Sequence, residues 1–162
     1  MKKLTKEEIL LAFPEKIRKK IKLPSLEEIN WGNLDFLGWI HPSGNLGYIV
    51  YSSECELRGL VLNRTITKTA KGIRMCSLCL TLRISGEVSL FSTIKMYNKK
   101  ISFGNYICAD LQCSHYVRGE LSGVAQMSET ITAEKKITRL QKNVKKLFIS
   151  VERFLKKKEE KQ

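Results

Sequence analysis

Five cysteines offer the most chemistry in this chain, and four of them fall in two tight pairs. Cys76-Ser77-Leu78-Cys79 is a C-x2-C, and Cys108-Ala109-Asp110-Leu111-Gln112-Cys113 is a C-x4-C. A close pair presents two sulfurs from one turn. Two such pairs on separate elements complete the tetrahedron that zinc prefers and staple those elements together. Such a shell leaves no position for water, so the ion it holds is structural and cannot activate a nucleophile. Thioredoxin-like redox use of the C-x2-C would need a βαβ pattern that the flanks lack. His115, two residues beyond Cys113, stays open as an alternative ligand, whereas Cys55 lies in a polar turn and reads as a bystander. His41, beside Pro42, reads as a loop residue. No phosphate-binding glycine loop, nucleophile elbow or His-Glu metal motif accompanies the cysteines. The sequence therefore points away from an enzyme and toward binding.

The elements that must hold these sulfurs follow from periodicity. Tyr48–Tyr51 and Leu57–Leu62 are β-rich and joined by the polar turn Ser52–Glu56, which predicts a hairpin. Thr65–Gly72 reads as a basic loop, Val88–Ile94 as a strand and Tyr106–Ile107 as a short one. The second pair suits a strand ending at Cys108 and a helix starting near Leu111, whose first turn carries Cys113. A cysteine knuckle on a hairpin facing a helix N-terminus is the treble-clef arrangement, and the helix dipole there favours thiolates.

Upstream, Thr5–Phe13 reads as a short helix with Thr5 as its cap and Glu7 and Glu8 in its first turn. Glu15–Lys22 follows Pro14, Leu26–Ile29 forms another short turn, and Trp31–Trp39 is expected to cap the core from a loop. From Thr132 onward Ile137, Leu140, Val144, Leu147, Val151 and Phe154 recur at spacings of three and four, which predicts a long amphipathic helix. It is expected to lie on the domain; a coiled-coil seam is the alternative, for which the stretch is short. The whole is an α+β chain expected to fold as one domain over 1–162. Its parts are helical segments and an aromatic loop (1–40), a β-rich zinc core (41–130), and a basic helix and tail (131–162).

The chain has 162 residues, 43% of them hydrophobic, enough to bury a core. It carries 29 Lys and Arg against 16 Asp and Glu, a net charge of +13. Residues 131–162 hold eleven of the cations and four Glu, about half of that excess. A polyanion or an acidic protein face is the natural partner. No export signal or membrane-length apolar run is present, so a cytoplasmic monomer with reduced thiols is expected.

The cysteine blocks carry a resemblance. Arg74-Met75-Cys76-Ser77-Leu78-Cys79, Val88-Ser89-Leu90, Gly104–Ser114 and Tyr116-Val117-Arg118-Gly119 resemble the zinc-finger domain of the elongation factor G-binding proteins, the fusidic acid resistance group. Leu34–Trp39 and the Tyr48–Leu62 hairpin share the likeness, which spans roughly residues 5–155. The resemblance implies binding to elongation factor G and promotion of its release from the ribosome. It implies one zinc ion on Cys76, Cys79, Cys108 and Cys113. It also places the contact surface on the finger, where Arg74, Lys99, Lys100, Phe103 and Tyr106 are the candidate partner-binding residues. The resistance proteins carry a separate helical domain ahead of the finger, whereas this chain has two or three short segments there. It thus resembles the finger in stand-alone form, which separates binding from drug resistance. An RNA- or ribosome-binding zinc protein, with bases stacking on rings such as Tyr97, Phe103 and Tyr116, is the alternative.

Overall fold

The computed structural model describes residues 1–53, 56–66, 72–93, 102–123 and 129–159. The first helix, α1 (Lys6–Leu11), starts where Thr5 places it. Thr5 Oγ1 accepts the Glu8 N–H at 3.2 Å and the Glu8 carboxylate takes the Thr5 N–H at 2.7 Å, a reciprocal cap that satisfies two otherwise unpaired donors. After Pro14 comes α2 (Glu15–Arg18), shorter than the pattern suggested. Beyond it Lys20 and Ile21 donate to carbonyls three residues back instead of continuing the α-helix.

The aromatic stretch is not all loop. Trp31–Asn33 forms one 3-10 turn, but Leu37–Ile40 is strand β1, an edge of the main sheet. Alternation decides it: Leu37 and Trp39 are buried while Gly38 and Ile40 are less so, the period of a strand. Trp39 lies opposite Tyr48 in register and stacks on it, with centroids 4.9 Å apart and planes at 20°. Phe13 meets both rings edge-on at about 6 Å, so the α1 region is pinned to the sheet by three aromatics.

Strands β2 (Leu46–Ser52) and β3 (Leu57–Thr65) make the expected hairpin, longer at its open end. Next come β4 (Ile73–Met75), β5 (Leu82–Ile84), β6 (Val88–Thr93) and β7 (Gly104–Cys108). The main sheet runs β1-β2-β3-β6-β7, antiparallel throughout, and β4-β5 is a separate two-stranded ribbon inserted between β3 and β6. Tyr48 and Val50 of β2 face the cluster of Leu4, Ile9, Phe13 and Trp31, while Ile49 between them joins the cluster that contains the cysteines. The sheet is thus buried on both faces, each by a different part of the chain.

Two helices complete the cysteine side: α3 (Cys113–Arg118) and the 27-residue α4 (Ala133–Glu159). Leu140, Val144, Leu147 and Val151 of the expected seam are buried, joined by Phe148, and all pack with the cysteines rather than facing a partner. Each such burial stabilises by roughly 1.5–3 kcal/mol. Phe154, at the seam's end, is half-buried against Phe103 with centroids 6.0 Å apart. Arg58 of β3 reaches Glu152 of α4 at 2.6 Å.

One buried residue ahead of the site ties two helices to the chain before β1. The Asp35 side chain, 2% exposed, pairs with Arg118 of α3 at 2.5 Å and accepts from Gln141 of α4 at 2.8 Å. Its backbone N–H donates to Ser114 Oγ at 3.0 Å. Removing one member of a buried pair leaves the other charge uncompensated. Asp35→Ala is expected to lower stability by about 3 kcal/mol in urea denaturation, with Arg118→Ala costing less because that side chain is partly solvated.

Candidate metal centre

Each cysteine sits where the backbone changes direction. Cys76 follows β4 directly; its N–H donates to Thr81 O at 3.1 Å, and the Leu80 N–H returns to Cys76 O at 2.9 Å. Leu80, at φ 61, carries the chain into β5. On the second pair Cys108 ends β7, and the Leu111 N–H closes onto Cys108 O at 3.0 Å. Leu111 also has positive φ (59), so α3 begins at Cys113 rather than near Leu111 as expected. Strand β1 passes so close to this turn that a Cβ at Gly38 would lie 2.7 Å from Leu111 Cβ, which explains the glycine.

The two turns are fastened to each other and to α4. The Ser77 N–H donates to Tyr106 O at 2.8 Å, joining the knuckle to β7. From α4, Asn143 Nδ2 donates to Leu78 O at 2.8 Å and Arg139 reaches Cys79 O at 3.5 Å. The four sulfurs converge. All lie within 4.8 Å of one another and all four residues are buried. Cys76 and Cys113 sulfurs are 3.7 Å apart, and Cys79 and Cys108 sulfurs 3.6 Å apart. A tetrahedron with Zn–S bonds near 2.3 Å has edges of about 3.75 Å. These spacings fit zinc and far exceed a disulfide bond of about 2.05 Å.

Without a cation the cluster shares protons unevenly. Hydrogen bonds from Cys108, then Cys113 and Cys76, pull the Cys79 thiol far down. The same network, with Cys108 first, and complete burial push Cys113 well up. A divalent ion resolves that conflict by stabilising four thiolates at once. The buried cysteine cluster therefore marks one structural Zn2+. His115 is not in it: its Nδ1 pairs with Glu120 at 2.5 Å, on the surface side of α3.

Sequence reasoning missed the residues that brace the ribbon. Arg74 and Arg83 are cross-strand partners in β4 and β5. Arg83 is buried, stacks 4.2 Å above the Tyr116 ring, and is neutralised by Glu87 and Asp110, each at 3.1 Å. Tyr116 donates to Asp110 at 2.8 Å; burial first, and then that bond, hold its phenol protonated. An Arg in a three-residue strand gives no sequence signal of this kind, because its partners come from other turns. Arg74 has the same stacking, 4.8 Å above Tyr106, but no carboxylate partner among the described residues. Tyr106 is 43% exposed and Phe103 half-buried. Lys99, Lys100 and Cys55 lie outside the described residues.

A family profile described as the FBP C-terminal treble-clef zinc-finger matches residues 13–151. Among solved structures, that of the fusidic acid resistance protein FusC is similar at 28% identity and a TM-score of 0.48, covering 62% of this chain and 48% of that one. The chain thus spans about half the length of FusC. A comparison with curated proteins found no match.

Two outcomes are expected of the metal. Native mass spectrometry should find one zinc per chain, and His115→Ala should keep it. Cys79→Ser should lose it, and with it zinc-linked folding free energy on the order of 10 kcal/mol. That is comparable to the whole net stability of a domain, so the cysteine side should unfold, seen as lost amide-exchange protection in β7 and α3.

Proposed function

This chain belongs to the FBP C-terminal treble-clef zinc-finger family, and from that premise we propose that it binds elongation factor G and modulates its release from the ribosome. The four-sulfur centre supports a binding role rather than turnover, since a closed thiolate shell has no position for substrate or water. The ion's part is to hold the knuckle, β7 and α3 in one rigid unit.

The observation that carries the contact site is the contrast between the two stacked arginines. Arg83 over Tyr116 is buried and neutralised, a brace within the fold. Arg74, half-buried, stacks over the exposed Tyr106 ring with no carboxylate partner among the described residues, and one of its guanidinium nitrogens is buried without a hydrogen bond. Arg and Tyr are the residue types that dominate interface energetics, and stacking holds the guanidinium in place before a partner arrives. The Ser77–Tyr106 bond ties this pair to the zinc knuckle, so metal loss would misplace it. Phe103 packs half-buried against Phe154 and the core instead. A chain of charge +13 would be steered to an acidic face of the factor, with an on-rate that falls as salt rises.

Calorimetry of the zinc-loaded protein with purified elongation factor G should give saturable one-to-one binding. Arg74→Ala and Tyr106→Ala should each weaken it by roughly 30-fold, corresponding to about 2 kcal/mol, with zinc content unchanged. A factor-release assay on ribosomes, with and without fusidic acid, then tests the consequence. Absence of binding to the intact zinc-loaded protein would refute the proposal.

A further inference from the structure

The apolar seam of α4 is consumed by the core, but its opposite face is not. Lys135, Lys142, Lys146 and Arg153 are all exposed, and none forms an ion pair among the described residues. By contrast Lys136 and Arg139 are engaged with Glu129. At 3.6 residues per turn these four cations fall within an arc of about 40°, directly opposite the buried seam; Lys145 and Lys156, also exposed, lie to one side of it. Their spacing of seven, four and seven residues sets them about 10, 6 and 10 Å apart along a line of about 27 Å. Glu134 and Glu152 project about 100° to one side, and Glu152 is already held by Arg58. No carboxylate and no apolar side chain lies within the arc.

From this geometry we infer that the outer face of α4 is a binding surface for the phosphate backbone of RNA, separate from the Arg74–Tyr106 surface. Charge and composition select the occupant. A protein interface needs a desolvated, mostly uncharged centre, and this arc offers none. A membrane-surface helix needs an apolar face free to enter lipid, and that of α4 lies in the core. A nucleic-acid strand needs neither. It presents closely and regularly spaced charge, one phosphate about every 3.4 Å of axis in B-form. Four long, flexible cations in a straight row can each meet one. The buried seam keeps the helix rigid, so the row is set before binding. Contacts of this kind position a protein on nucleic acid without reading sequence.

The test is fluorescence anisotropy with a single-stranded oligouridylate over a salt series. With four phosphate contacts, each contributing about −0.7 to the log–log slope, affinity should fall about 50-fold for a fourfold rise in salt. The combined variant K135Q, K142Q, K146Q and R153Q should bind weakly, with a slope shallower by about 2.8. A charge-matched control, K3Q, K6Q, K16Q and K20Q, changes exposed lysines around the first two helices and should keep the wild-type slope. Zinc content and amide exchange confirm that both variants are folded. The inference is overturned if the wild-type chain does not bind the probe, if the α4 variant keeps its slope, or if both variants lose it equally. Calorimetry with elongation factor G keeps the two surfaces apart: unchanged affinity of the α4 variant for the factor supports the inference. Lost affinity for the factor with an unchanged RNA slope overturns it.

Discussion

Four sulfurs within 4.8 Å of one another cannot all carry charge unless a cation sits among them, and much of the molecule is arranged around that demand. The two cysteine turns belong to different parts of the chain: one closes the small β4-β5 ribbon, the other ends the large sheet and opens α3. Neither the ribbon nor the six-residue α3 buries enough apolar surface to hold itself. The metal gives both turns a common anchor. Helix α4 then covers the anchor, donating from Asn143 and Arg139 to the carbonyls of Leu78 and Cys79 while its apolar seam fills the remaining space. Zinc, ribbon, α3 and α4 are consequently one cooperative unit.

Within that unit the same chemical pair occurs twice, in different surroundings. Arginine over tyrosine braces the fold where two carboxylates complete it, at Arg83. At Arg74 it has no carboxylate partner among the described residues. The difference lies in the neighbours, not in the residues. Asp35 plays the bracing role on the other side of α3, binding Arg118 and Gln141 from a position outside any strand.

The site was legible because its signal is local. Cysteine spacing, the Thr5 cap and the repeat of α4 are properties of short windows, and each appears in the structure at or within a residue or two of its expected place. What the windows missed depends on contacts between distant segments. Trp31–Trp39 looked like a loop because aromatic and glycine residues crowd it; Leu37–Ile40 becomes a strand by pairing with β2 and stacking Trp39 on Tyr48. The start of α3 shifted from Leu111 to Cys113 because the chain needs a left-handed residue to turn the second cysteine pair. The arginine braces and the Asp35 lock were invisible for the same reason, since their partners lie up to 106 residues away.

Both tryptophans of the chain, Trp31 and Trp39, are buried in the cluster with Phe13 and Tyr48, on the sheet face turned away from the cysteines. The protein's intrinsic near-ultraviolet emission therefore originates almost wholly on one side of a two-sided molecule. Optically the metal half is dark. A melting curve followed by tryptophan light would trace the amino-terminal cluster and could pass smoothly over events around the zinc, so the two halves need separate probes before any single transition is assigned to the whole chain.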